Sequence, residues 1–182
     1  MLKQVIFSGF GGQGVLLAGQ LLATAGLLEG REVTWFPSYG AEMRGGSANC
    51  TVVVSDQPIG SPVASRPELV LAFNQPALET FQGRVAQGGE LIYNSSLAVI
   101  LADLPQISAK AVPATEIAVG LGEARAVNLV MLGALWAATD LVGKESLLSA
   151  LSEKLGQASP NLLAVNRKAL EAGAEAYRGG AG

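Results

Sequence analysis

Residues 5–15 read Val5-Ile6-Phe7-Ser8-Gly9-Phe10-Gly11-Gly12-Gln13-Gly14-Val15. An apolar run stops at a glycine-rich turn, and a long apolar stretch, Val15 to Leu28, follows. The order is strand, turn, helix. Glycines here let the chain turn tightly and let backbone approach a ligand or a neighbouring chain with no Cβ between. The spacing also suits backbone N–H groups offered to a phosphate at a helix N-terminus. The same glycines equally serve a helix that only packs closely onto its sheet.

Outward from that turn, the chain alternates strand and helix. Residues 4–8 are all but uniformly apolar after Gln4, which suits a strand buried on both faces of a parallel sheet. The helix Val15–Leu28 is nearly free of charge and is expected to touch more than one apolar surface. Glu32 to Phe36 reads as a second strand, Pro37 to Gly46 as a polar loop, and Ser47 to Ser55 as a third strand. Residues 58–67 carry Pro58, Gly60, Pro62 and Pro67 and read as an irregular connection. Leu69 to Phe73 is another strand, followed by a helix capped by Asn74 with Pro76 in its first turn. Strands are expected at 90–94 and 107–112, and helices at 115–121, 127–142, 145–155 and 160–177. Ser159-Pro160 is a cap followed by proline at the first helical position. The pattern predicts one α/β domain over residues 1–182, with a doubly wound, mostly parallel, Rossmann-like sheet in 1–112 and a mainly helical part in 113–178.

Composition narrows the function. Of 182 residues, 49% are hydrophobic and only 15% charged, with a mean hydropathy of +0.37. A soluble domain ordinarily carries about 25% charged residues. Such a chain leaves apolar surface in water, and large patches of that kind mark interaction sites, so it reads as a subunit. A net charge of −3 gives no basis for a nucleic-acid partner. No stretch approaches the roughly 20 apolar residues of a membrane span, and no signal-peptide pattern opens the chain; the expected compartment is the cytoplasm. One cysteine, Cys50, excludes an internal disulfide and a four-cysteine iron–sulfur site. The complete absence of histidine removes Ser/His/Asp triads, Cys/His dyads and histidine metal sites. No catalytic side chain and no resident metal are therefore assigned.

Two loops are the candidate sites. Gly9, Gly11 and Gly14 match G-x-G-x-x-G, with Gly12 and Gln13 inside the motif. A dinucleotide fold also wants an acidic residue at the end of the second strand. Glu32 sits at that strand's start instead, and no Lys-Ser/Thr follows the glycines to make a Walker A loop. The second loop, Ser38-Tyr39-Gly40-Ala41-Glu42-Met43-Arg44-Gly45-Gly46, also follows a strand, so it is expected at the same sheet edge. Arg44 can offer a fork of donors to a carboxylate or phosphate, Glu42 can orient it, and Tyr39 can stack or donate. The bland reading is a surface loop held by a Glu–Arg pair. Asn128 opens an apolar helix and either bridges backbone or meets an interface or ligand. Cys50 has no cationic neighbour in sequence and reads as a buried, inert thiol.

Taken together, Gly9-Phe10-Gly11-Gly12-Gln13-Gly14-Val15 and the segment from Pro37 to Cys50 resemble the gamma subunit of 2-oxoacid:ferredoxin oxidoreductases, the pyruvate, 2-oxoglutarate and 2-oxoisovalerate family. Asn128 with Met131-Leu132-Gly133-Ala134 matches a third family segment, and the likeness runs from residue 3 to about residue 176. Ala41 departs from it, standing where a proline is frequent. The resemblance implies a complex that oxidatively decarboxylates a 2-oxoacid to an acyl-CoA and passes electrons to ferredoxin. Thiamine diphosphate, coenzyme A and iron–sulfur clusters are expected in that complex and none on this chain alone. The implied partners are alpha, beta and in some complexes delta subunits, with ferredoxin reached through them. The isolated chain is expected to be inactive, with a homodimer open to it. The competing reading from the residues is a stand-alone nucleotide- or flavin-binding oxidoreductase domain; a third is a purely structural subunit.

Overall fold

The computed structural model describes residues 1–39, 46–101, 103–155 and 160–179. Among them, six strands form one sheet: β1 (Leu2–Phe10), β2 (Glu32–Tyr39), β3 (Ser47–Ser55), β4 (Leu69–Ala72), β5 (Glu90–Asn94) and β6 (Ser108–Val112). Their spatial order is β2-β3-β1-β4-β5-β6. β1, β4, β5 and β6 run parallel, while β3 is antiparallel to both β1 and β2. β2 therefore points the same way as β1, and five strands deliver their carboxyl ends to one edge. The sheet is mixed but mostly parallel, as the alternation of elements predicts.

Among the described residues six α-helices accompany the sheet: α1 (Val15–Leu28), α2 (Gln75–Phe81), α3 (Ala114–Gly120), α4 (Val127–Ala138), α5 (Lys144–Leu155) and α6 (Pro160–Gly179). Strand alternation sorts them. Val5, Phe7, Val52, Val54, Leu71 and Ile92 turn to the face covered by α1 and α3–α6, whereas Ile6, Val70, Ala72 and Leu91 turn to the face covered by α2. β1 and β4 are neighbours, yet the helices that follow them leave to opposite faces. That divergence opens a crevice at the carboxyl edge, the place where open α/β sheets bind ligands.

α4 is buried at every position from Val127 to Leu135. It crosses α6 so closely that a Cβ on Gly133 would strike the Leu170 carbonyl and one on Gly173 would strike the Val130 carbonyl. Backbone rests on backbone there, as the absence of side chains permits. No helix among the described residues is long and apolar enough to cross a membrane.

Among the boundaries that differ from those expected from sequence, three have a clear physical cause. β1 runs to Phe10 because Gly9 and Phe10 still pair with Ala48 and Ser47 of the long β3. β2 continues through Pro37 to Tyr39, since it is an edge strand, where proline is tolerated. α4 stops at Ala138 rather than 142: Thr139 is extended (φ −143°) and its Oγ1 donates to the Leu135 carbonyl at 3.0 Å. Leu141 and Val142 are buried all the same, as part of the connection into α5. The residue expected to cap α6, Ser159, lies outside the described residues.

Candidate functional site

The glycine turn sits where β1 hands over to α1, and each of its residues has a distinct task. Gly9 is a packing glycine: a Cβ there would lie 2.6 Å from Gln13 Oε1, 2.8 Å from Phe73 Cβ and 2.9 Å from Val15 Cγ2. Gly12 (φ 96°) and Gly14 (φ 72°) occupy the left-handed region that L side chains avoid. Gly12 faces open space, and a Cβ added to it would meet nothing within 4 Å, whereas a Cβ on Gly14 would meet Asn128 Nδ2 at 2.6 Å. Gly14 also serves as the N-cap of α1 with no side chain to cap the helix. The first N–H groups of a helix have no intrahelical acceptor and carry its positive end.

The two sequence loops meet. Gly11 N donates to the Gly46 carbonyl at 3.0 Å, so the end of the second loop is tied to the glycine turn at one sheet edge. Ser38 stands opposite Asn49 and Tyr39 opposite Ala48 in the β2–β3 register, at that same edge. Glu42, Arg44 and Gly45 lie outside the described residues. Gln13 turns inward instead of facing solvent. Its Oε1 accepts from Phe10 N at 2.7 Å and from Asn74 Nδ2 at 2.8 Å, and its Nε2 donates to the Phe73 carbonyl at 3.4 Å.

Asn128 is 3% exposed, at the start of α4, and lies against Gly14. It lines a cavity of about 350 Å³ together with Gly12, Leu17, Arg125, Leu162 and Asn166. Asn166, in the first part of α6, is 6% exposed. Neither side-chain amide has a hydrogen-bond partner among the described residues, so two amides present unused donors and acceptors to this hollow. A smaller hollow of about 270 Å³ lies on the other side of the turn, between Phe10, Leu16 and Ala48. Larger open clefts of about 460 and 610 Å³ occupy the opposite edge, around Lys3, Glu68 and Glu90 and around Arg31, Trp136 and Arg178. Those charges are largely engaged: Glu68 accepts from Gln4 N, Glu90 from Tyr177, and Arg31 pairs with Glu29 and Asp56. The carboxyl edge, by contrast, has smaller hollows but carries the free N–H groups at the start of α1 and the unused amides of Asn128 and Asn166.

Other groups fall away. Burial pushes the Cys50 thiol up to about 12, against a smaller opposing effect of Trp35, which makes it a poor nucleophile. No group of three or more His, Cys, Asp or Glu among the described residues is placed to hold a metal ion. Sequence reasoning reads Asn74 only as a helix cap and passes over Asn94 and Asn166. A signal for Asn94 is there: Leu71-Ala72-Phe73-Asn74 and Leu91-Ile92-Tyr93-Asn94 are the same pattern, an apolar strand ended by asparagine. The carboxyl edge also bears exposed apolar side chains, Phe10, Leu97, Val99 and Leu101, the last 86% exposed. Val99 is held there by Gln75, whose Oε1 accepts its N–H at 2.8 Å.

Comparison with known proteins agrees with this architecture. The family model described as pyruvate ferredoxin/flavodoxin oxidoreductase matches residues 4–176. The ketoisovalerate oxidoreductase subunit VorA of Methanothermobacter thermautotrophicus is 42% identical over 174 residues, covering 94% of this chain and 36% of that protein. The keto/oxoacid ferredoxin oxidoreductase gamma subunit of Geobacter sulfurreducens superposes with a TM-score of 0.81 at 30% identity, covering 97% of this chain and 98% of that one. The 2-oxoglutarate:ferredoxin oxidoreductase of Magnetococcus marinus, solved with 2-oxoglutarate, coenzyme A and succinyl-CoA bound, superposes with a TM-score of 0.89 at 26% identity, over 97% of this chain and 31% of that one. The chain thus spans about a third of the length of VorA and of the Magnetococcus protein. With a family model over nearly all of its length and a gamma subunit matching it end to end, the chain belongs to the pyruvate ferredoxin/flavodoxin oxidoreductase family, as a gamma-type member.

Proposed function

We propose that this chain serves a thiamine-diphosphate- and iron–sulfur-dependent 2-oxoacid:ferredoxin oxidoreductase by presenting its carboxyl edge to the thiamine-bearing sister chains and to the path of coenzyme A. The observation that carries this reading is the Gly11–Gly46 hydrogen bond, which joins both candidate loops beside the open N-terminus of α1. An anionic ligand group is favoured at such a helix end. The exposed Leu97, Val99 and Leu101 on the same edge suit a subunit interface, since obligate interfaces are apolar. The redox centres and thiamine diphosphate sit on sister chains in this reading. This chain contributes surface: Tyr39, Glu42 and Arg44 shape the mouth, and Gly9 to Gly14 position backbone donors. It fits that the Magnetococcus relative was solved with coenzyme A bound.

Arg44→Ala in the assembled complex tests this. The expected result is a raised KM for coenzyme A or the 2-oxoacid with assembly intact. Unchanged steady-state constants for both, in a complex of normal composition, retire the reading and leave a purely structural subunit.

A further inference from the structure

The crevice between β1 and β4 is bridged. Gln13 reaches across it from the glycine turn to Asn74, the residue that ends the β4 side. Both amides have one permitted orientation. Phe10 N–H must donate and the Phe73 carbonyl must accept, which fixes Gln13 with Oε1 toward Phe10 and Nε2 toward Phe73. Asn74 Oδ1 accepts from Ala77 N at 3.0 Å to cap α2, which leaves Nδ2 as the group that faces Gln13. The bridge then continues. Asn94 Nδ2 donates to the same Phe73 carbonyl at 3.3 Å and to Thr115 Oγ1 at 2.9 Å, while Asn94 Oδ1 accepts from Ser96 N and Thr115 N.

Magnitudes identify the part that matters. The bonds to the Phe73 carbonyl are long and weak, whereas the two bonds into Gln13 Oε1 are short. Asn74 is 4% exposed, so its bond to Gln13 is partly shielded from water and costly to leave unmade, while the Phe10 N–H bond lies at the surface. Gln13 also stands between Gly12 and Gly14, the two residues of the turn at positive φ. Between two permissive glycines it is the one side chain that can pin the turn to the sheet.

We infer that Gln13 and Asn74 are positioning residues, a clasp across the β1–β4 crevice that fixes where the N–H groups of the glycine turn and of the first turn of α1 point. The effect on ligand binding rests on the function proposed above; the clasp itself does not.

Asn74→Ser and Asn74→Asp separate the two roles of Asn74, because both keep an oxygen to cap α2. Serine removes the Nδ2 donor that reaches Gln13 and leaves only a shorter hydroxyl, and aspartate sets an acceptor against Oε1. Amide hydrogen exchange on the chain is expected to quicken by about tenfold or more at Phe10, Gly11 and Gln13, the turn amides that have acceptors, in both variants, with Ala77 unchanged. In the oxidoreductase complex, KM for coenzyme A is expected to rise about fivefold while kcat stays within about twofold. Exchange at Phe10, Gly11 and Gln13 within about twofold of the parent in both variants overturns the clasp. Faster exchange with an unmoved KM keeps the clasp and rejects the ligand role of the turn. If Ala77 exchanges faster too, Gln13→Ala tests the turn without touching α2; unchanged exchange at Gly11, whose N–H donates to the Gly46 carbonyl, and at position 13, whose N–H donates to the Phe10 carbonyl, then overturns the inference.

Discussion

Replacing Gly14 by alanine perturbs the turn in two separable ways. At φ 72° the backbone lies in the left-handed region, which costs an L residue about 1–2 kcal/mol. The new Cβ would also lie 2.6 Å from Asn128 Nδ2, 2.7 Å from its Cγ and 3.0 Å from its Cβ. The amide can rotate, but Asn128 is 3% exposed and its Cβ moves only with α4. Overpacking of this kind adds about 1–3 kcal/mol. The expected destabilisation is therefore about 2–5 kcal/mol, read as a fall in urea midpoint with an unchanged slope. Gly12→Ala is the internal control: its φ is 96° and no atom lies within 4 Å of the added methyl, so it carries the backbone cost alone. The Asn128→Ala background removes the two shortest contacts and is expected to shrink the Gly14→Ala penalty by about 1 kcal/mol. Equal losses for Gly12→Ala and Gly14→Ala, or strict additivity with Asn128→Ala, refute the reasoning.

Further outcomes are expected at the helix crossing and at Cys50. Gly133→Ala and Gly173→Ala each place a methyl on a backbone carbonyl of the opposing helix and are expected to cost about 3 kcal/mol or more by the same titration; Gly179→Ala, with nothing within 4 Å, is expected to be near neutral. Cys50 is expected to resist alkylation at pH 8 in the native chain and to react on unfolding. Because its folded pKa is raised by burial from 9.0 to about 12, the unfolded thiol ionises first, and stability is expected to fall as pH climbs from about 9 toward 12; Cys50→Ala should reduce that slope.

The part of this fold legible in sequence is the part decided locally. The strand, glycine turn and helix of residues 5–28 depend on near neighbours, and the structure keeps their order. What escapes a sequence reading depends on distant partners. Pro37 looks like a strand terminator until β2 is known to be an edge strand. Leu141 and Val142 extend an apolar run and invite a longer helix, yet they are buried as a connection after Thr139 ends α4. Gln13 looks ligand-facing because motif residues usually are; its partner Asn74 is 61 residues away, and no local pattern links them. Asn166 gives no signal, since one asparagine in an amphipathic helix is ordinary until its helix is packed.

The glycine crossing of α4 and α6 makes those two helices a single stiff beam. Their axes cannot slide, because each glycine is lodged against a carbonyl of the other. Asn128 and Asn166 are mounted on the two members of that beam, so the gap between them is a machined dimension. Whatever enters the hollow beside Gly14 must conform to that gap, and any give must come from the turns at its rim.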